Sequence, residues 1–406
     1  MNVLAEPVAT AARVVSLGEA VELNPRADRG QLSDDLEVSF VPMAAVEAAT
    51  GRMDVSTVRR FNEVKKGYTI FREGDVLFAK ITPCMENGKM AVARGLRNGV
   101  GCGSTEFHVL RPRPGVDPHY IYYFVSSGQF RARAAHHMTG AVGQKRVPVA
   151  HLEQCEIPLP DLEGQRRIVA DIEKQFSRLD DAMADLRRVN ANLKRYKATV
   201  LSAAFQGDSG WRWATYADVG EVATGFTPPT GDAENFGGDV PFFKPTDLDA
   251  GHNVVIARTY LSKKGLARGR RLPGGSVLVT CIGATIGKTG LARVACATNQ
   301  QINAVSPYRN IADSDFVYWW TVSPAGQQQI IRHASATTLP ILNKSKFSAL
   351  PVPLPALSEQ RRIVSEIERQ ISVARIAEAE VVRSVERAEA LKRAVLARAF
   401  HGEVVA

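Results

Sequence analysis

Pro158–Gln175 reads PLPDLEGQRRIVADIEKQ, and Pro353–Gln370 reads PLPALSEQRRIVSEIERQ. About two thirds of the aligned positions are identical and no gap is needed, which is the mark of an internal repeat. The register continues downstream: Val200, Leu201, Phe205 and Gly207 recur as Val395, Leu396, Phe400 and Gly402, each pair 195 apart. Each copy begins at a proline pair, Pro158 with Pro160 and Pro353 with Pro355, which holds the entering backbone extended. Asp161 or Ser358 is then placed to cap a first turn. No proline or glycine interrupts the chain from Gln165 to Gln206 or from Glu359 to His401, so each run predicts a helix of about 60 Å.

The apolar spacing says what these helices pack against. Ile172, Leu179, Leu186, Leu193 and Val200 fall seven apart, and Ile367, Ala374, Val381, Ala388 and Val395 occupy the matching positions of the second copy. A sustained heptad stripe requires a partner helix, and each copy supplies one to the other. Ala374, Ala377 and Ala388 favour close approach of the two backbones. Phe176, Met183 and Tyr196 are expected to lie off the central seam, where they invite a partner. In an antiparallel pair, the end of the second helix near Phe400 returns to the start of the first.

A chain of 406 residues exceeds one ordinary domain, and 45% hydrophobic with 23% charged residues is a globular composition. No stretch reaches eighteen uninterrupted apolar residues, and the first residues lack a basic start followed by an apolar run, so neither a membrane span nor a signal peptide is expected. Five scattered cysteines without a CxxC pair point to a reducing cytoplasm and away from zinc. The net charge of +9 suits a polyanionic partner. Its excess concentrates in residues 208–352, with 14 basic against 10 acidic residues, which suggests a local basic face.

Between the helical copies lie two segments that echo each other. Glu73 to Ile81 reads as a turn feeding a strand, Asn87-Gly88-Lys89 as a hairpin turn, Phe107 to Leu110 as another strand, and Tyr120 to Arg133 as a helix. In the second segment, Gly275 to Val279 echoes Gly74 to Phe78, Ile282 through Gly287-Lys288 echoes Ile81 through Gly88-Lys89, and Phe316 to Trp320 echoes Tyr120 to Phe124. Val219 to Val222 is read as echoing Leu17 to Ala20. The expected organisation is therefore two pseudo-repeated α/β (α+β) domains, 1–157 and 208–352, with helical regions 158–207 and 353–406 forming an antiparallel coiled coil.

This organisation resembles the specificity (S) subunit of type I DNA restriction-modification systems. The resemblance rests on PLPxLxxQRRIVxxIExQ in both copies, on Gly74 to Lys89 with Gly103-Ser104-Thr105-Glu106-Phe107, and on IGATIGK (Ile282–Lys288) with ATNQQIN (Ala297–Asn303). It implies two target-recognition domains, each reading half of a split site in double-stranded DNA. The helical spacer is then expected to dock two methyltransferase subunits, with restriction subunits joining the full complex. It also implies a non-catalytic chain without a cofactor of its own, S-adenosylmethionine and ATP/Mg belonging to partner subunits.

The residues agree on the absence of chemistry here. Gly283-Ala284-Thr285-Ile286-Gly287-Lys288-Thr289 imitates a phosphate-binding loop, but three residues separate the glycines where four are required, and strand-like residues follow. Asp54 with Glu63-Val64-Lys65 is a chance-level resemblance to a nuclease metal site, and His136-His137 lacks further ligands at metal spacing. No metal site is expected. Phosphate contacts are assigned to Lys80, Thr82, Lys89, Lys145 and Arg146 in the first domain, and to Lys244, Lys263, Lys264, Arg268, Lys288 and Lys344 in the second. Gln144, Arg146, Asn299, Gln300 and Gln301 have the chemistry to read base edges, although Asn299 and its two neighbours are equally suited to satisfying buried backbone. Three other readings stand beside this one. The first is a coiled-coil scaffold with two protein-binding domains, and the second a specificity subunit of a related type II-like methyltransferase/nuclease. The third, a fused modification enzyme, lacks its (N/D)PP(Y/F) motif.

Overall fold

The structure, a computed structural model, describes residues 13–26, 29–141, 143–207, 210–335 and 339–400. The N-terminal prefix and the expected helix end at His401 lie outside the described residues. The chain forms two compact units, Met1–Leu186 with Arg383–Ala406, and Arg187–Val382.

In the first unit, four antiparallel strands lie in the order Val21–Leu23, Phe107–Pro112, Val76–Ala79, Met90–Val92. A second, mixed sheet runs Val58–Arg60, Glu37–Val41, Val100–Gly103, Thr69–Arg72, with its two central strands parallel. The helix Pro118–Ser126 lays Tyr120, Ile121 and Phe124 against Val76, Phe78 and Leu110 of the first sheet, forming the largest core of this unit. A ribbon of Arg13–Ser16 with Glu156–Leu159 leads into the first long helix. The expected single helix from Tyr120 to Arg133 is two helices, Pro118–Ser126 and Gly128–His136, because Ser127 takes an extended conformation and caps the second. Asn87-Gly88 does not close a tight hairpin; it ends a broad loop between Ala79 and Met90, with Gly88 at φ +69°.

The second unit repeats the plan. Gly220–Thr224, Ile302–Pro307, Val277–Thr280 and Thr289–Leu291 form its four-stranded antiparallel sheet. Tyr260–Leu261, Phe236–Phe243 and Ala297–Thr298 form a three-stranded one. Arg212–Thr215 pairs with Pro351–Leu354. The helix Ser314–Val322 contributes Phe316, Val317 and Trp320 to the core. One of the expected echoes is out of register. The short helix Leu17–Ala20, with its Ser16/Glu19 capping box, corresponds to Tyr216–Val219 with Thr215/Asp218, so Gly220 matches Val21 and not Gly18. The shared letters Gly-Glu at 18–19 and 220–221 are thus displaced by three residues in the structure.

The two long helices are Leu162–Ala204 and Leu357–Phe400. Each unit contains the start of one and the end of the other, which makes the pairing antiparallel. In the first unit Ile172, Met183, Ala388 and Leu396 are buried; Lys392 Nζ meets Asp180 Oδ1 at 2.5 Å and lies 5.1 Å from the Phe176 ring centre. Phe400 packs edge-on against Tyr120 and Phe124. In the second, Val200, Leu201, Ile363, Ile367 and Ile371 join the core, and Lys197 pairs with Glu378 at 2.7 Å. Met183 therefore belongs to the seam, contrary to the heptad expectation, because the row of Phe176, Met183 and Lys197 also faces the partner helix. Asp161 caps the first helix by accepting from Gly164 N–H (2.8 Å), but Ser358 does not cap the second, whose helix begins one residue earlier at Leu357.

Candidate nucleic-acid interface

The clearest assembly of candidate residues forms where the strand Val76–Ala79 runs out of its sheet. Lys80 N–H donates to Glu106 O (2.9 Å), and Lys80 O accepts from Val147 N–H (2.9 Å). Thr82 N–H donates to Lys145 O (3.0 Å), and Lys145 N–H returns a bond to Thr82 Oγ1 (3.2 Å). Ile81 thus bridges Arg146, which also bridges Thr139 and closes the loop 139–146. Gly140 and Gly143 take φ +123° and +82° in that loop, a region side chains disfavour. Lys80, Thr82, Gln144, Lys145 and Arg146 are thereby brought together, with the last three exposed.

Arg146 is held on its own protein. Its guanidinium makes two bonds to Glu106 (2.9 and 2.7 Å) and one to Gln144 O (3.1 Å). The Arg146 hydrogen bond keeps the Glu106 carboxyl below the usual range, aided by the charges of Arg146, Lys80 and His108 and opposed by burial. Beneath this layer, Asn24 Nδ2 donates to His108 Nδ1 (3.0 Å), leaving Nε2–H to bond Val147 O (2.9 Å). Burial, first, and the charge of Lys80 lower the His108 pKa. Sequence alone did not single out Glu106 or His108, although Glu106 lies within Gly103–Phe107. Lys89 stands apart: its half-buried Nζ donates to Met43 O (2.9 Å).

The second unit builds the same crossing from other residues. Cys281 N–H donates to Gln301 O (2.7 Å), Leu342 N–H to Cys281 O (2.8 Å), and Gly283 N–H to Pro340 O (3.0 Å), while Ile282 bridges Ile341. Asn303 takes the place of His108, its Nδ2 donating to Leu342 O (3.1 Å) and its Oδ1 accepting from Thr224 (2.7 Å). Asn299 is buried and donates to Gln301 Oε1 (2.9 Å), so its amide supports a neighbour, while its Oδ1 has no partner among the described residues. Gln300 is exposed and accepts from Thr227 Oγ1.

The lysines of this unit are dispersed. Lys288 pairs with Asp249 (2.6 Å), and Lys264 with Asp232 (3.0 Å) and Glu234. Lys244 Nζ sits 5.7 Å from the Phe242 ring centre. Lys263 and Arg268 are exposed, in and just after the short helix Lys263–Leu266, followed by exposed Arg270 and Arg271 that the sequence reading passed over. Lys344 opens the helix Lys344–Ser348, beside Thr215. Gly287-Lys288 leads into the strand Thr289–Leu291, not a helix, which removes the geometry of a phosphate-binding loop. His252, Asp315 and Glu368 are the one group of metal-ligand side chains that converges among the described residues. Arg293 occupies that group, donating to Asp315 Oδ1 (2.7 Å) and to the His252 ring, so a guanidinium already balances its charge.

Residues 12–188 and 208–380 match the type I restriction modification DNA specificity domain. The chain is 39% identical over 166 residues to the type I restriction enzyme EcoAI specificity subunit of Escherichia coli, covering 41% of this chain and 28% of that relative. It is 24% identical over 317 residues to the EcoBI specificity subunit of Escherichia coli, covering 70% of this chain and 66% of that one. The first two curated relatives, EcoAI and EcoEI, are thus matched over 28% and 27% of their length. Among solved structures, a chain from work on complex assembly and conformational transition of the type I R-M system superposes with TM-score 0.81 at 23% identity, covering 97% of this chain and 98% of that chain. The HsdS subunit from Thermoanaerobacter tengcongensis superposes with TM-score 0.59 at 22% identity, covering all of both chains. These likenesses show the fold.

Proposed function

The chain belongs to the type I restriction modification DNA specificity domain family, and from that premise we propose that it selects the DNA site of a type I restriction-modification complex. Each unit reads one half of a bipartite site in double-stranded DNA. The chain has no catalysis of its own: methyl transfer from S-adenosylmethionine and ATP/Mg-driven restriction are carried by partner subunits in the cytoplasm.

One observation carries this reading. The strand-end crossing is built twice on the same backbone bonds, but the side chains on it differ: Lys80, Thr82, Glu106, Lys145 and Arg146 in one unit, Cys281, Gly283, Gln301, Pro340 and Ile341 in the other. A repeated frame with exchanged surface residues suits two readers of different base sequences, since base readout depends on side-chain chemistry and phosphate contacts do not specify sequence. In the first unit Lys80 and Lys145 are the phosphate contacts, and Gln144 reads a base edge. In the second, Lys263 and Arg268 contact phosphates and Gln300 faces a base.

The helices dock two methyltransferase subunits, and restriction subunits join that assembly. Exposed apolar side chains on the second long helix support docking, among them Val373 (65% exposed) and Ile376 (69%), since such residues lose free energy in water. Methylome sequencing of the host with the gene intact, deleted and restored tests the proposal. One split motif should be methylated only when the chain is present. A methylome unaffected by deletion contradicts it, and a scaffold role then gains.

A further inference from the structure

The QRR of each repeat begins with a buried glutamine, Gln165 at 1% and Gln360 at 0% exposure. Each lies one heptad before the first apolar member of its stripe, Ile172 or Ile367, and their partners occupy equivalent positions in both units. Gln165 Oε1 accepts from Asp117 N–H (2.8 Å), while Nε2 donates to Gly115 O (3.2 Å) and Pro160 O (2.8 Å). Gln360 Oε1 accepts from Asp313 N–H (2.8 Å), while Nε2 donates to Ile311 O (3.1 Å) and Pro355 O (2.9 Å). One primary amide therefore ties three backbone positions at each junction: the proline turn that enters the long helix, the loop before a short helix, and the capping aspartate of that helix.

That short helix is the one packed on the four-stranded sheet from which the reading loops emerge. Asp117 caps Pro118–Ser126 by accepting from His119 and Tyr120 N–H, and Asp313 caps Ser314–Val322 likewise. Within each unit, a continuous path of contacts runs from the first turn of the long helix through the amide to the capped helix, the sheet and the strand-end crossing. Apolar packing resists separation but is weakly directional, whereas three hydrogen bonds to one buried planar group fix an angle. Nothing else of comparable size does the work of an amide here: a carboxylate would turn an acceptor toward two carbonyls.

We propose that Gln165 and Gln360 are positioning residues for DNA reading. Each locks its recognition domain at one angle to the start of its long helix, and so fixes the allowed separation between the half-sites. The inference rests on the DNA-reading function proposed above. A change of one base pair in the spacer moves a half-site by about 3.4 Å and turns it by about 35°, which a locked domain rejects and a loosened one accommodates.

The test is methylome sequencing of host strains carrying Gln165→Glu or Gln360→Glu. The half-site bases should be unchanged, while sites whose spacer is one base pair longer or shorter rise from below about a hundredth to at least about a tenth of cognate methylation. A purely stabilising role would lower methylation at every site in proportion. That result overturns the proposal, as does unchanged spacing or complete loss of methylation by a variant that purifies folded. Where a glutamate variant does not accumulate, Gln165→Asn or Gln360→Asn, neutral but one methylene shorter, takes the same measurement, and strict spacing there overturns it. A wild-type strain without chain-dependent methylation would instead contradict the underlying function.

Discussion

Asp75 is 1% exposed and receives two bonds from Arg111 (2.8 and 2.7 Å) as well as Arg72 N–H (2.7 Å). Burying a carboxylate is tolerable only with such partners. The second unit solves the same position without charge, pairing Ser276 with Ser306 at 2.7 Å. Asp75→Ala should cost about 2–3 kcal/mol in urea denaturation, because it strands Arg111. The double change Asp75→Ser with Arg111→Ser should recover a measurable part of that loss, and a double-mutant cycle reads the coupling. His108 makes a pH prediction. Its folded pKa lies below the ordinary histidine value, chiefly through burial, so the unfolded chain takes up the proton first. Stability of the first unit should be complete above about pH 6.5 and decline as pH falls below it. His108→Asn, the residue found at the equivalent Asn303, should flatten that dependence in denaturation at about pH 5.5 and 7.5. Neither network was legible in sequence. Asp75 read only as part of a turn, since Arg111 lies 36 residues away, and nothing local marks His108 as buried.

Elements were far more legible than their partners. The helix starts, the heptad stripe and the strands around Val76, Phe107 and Val277 follow from proline placement and apolar period alone. What failed was register and rim. Gly-Glu at Gly18-Glu19 and Gly220-Glu221 misaligned the units, and Met183 proved to be seam. The seam predicts that Ile367→Ala destabilises by about 3 kcal/mol, a buried large-to-small change, while Ile376→Ala stays within about 0.5 kcal/mol in the chain alone. Chemical denaturation of the two variants checks both values. At the strand-end crossing, the sequence named Lys80, Thr82, Gln144, Lys145 and Arg146 without showing that they meet, because Ile81 and Arg146 are joined only by a long-range bridge. The proposed phosphate and base-edge roles make separate predictions. Lys145→Ala should weaken binding to all sequences and reduce its salt dependence, whereas Gln144→Ala should relax one base position by about 1–3 kcal/mol. Salt-titrated binding to matched and mismatched duplexes distinguishes them.

At the scale of the molecule, one plan occurs twice, and the two long helices give each unit the start of one repeat and the end of the other. The duplication was evident in the sequence because helix starts repeat their letters. The recognition surfaces were not, because the same frame carries different side chains. If each unit reads DNA as proposed, the target must have two parts, and that requirement is the central claim. The most direct measurement is selection from randomised duplex DNA by the full chain purified with its methyltransferase subunits, with and without Gln144→Ala. The account predicts two short blocks of fixed bases separated by a constant number of unselected positions, with Gln144→Ala changing one block only. A single continuous block, or no enriched sequence, would contradict it.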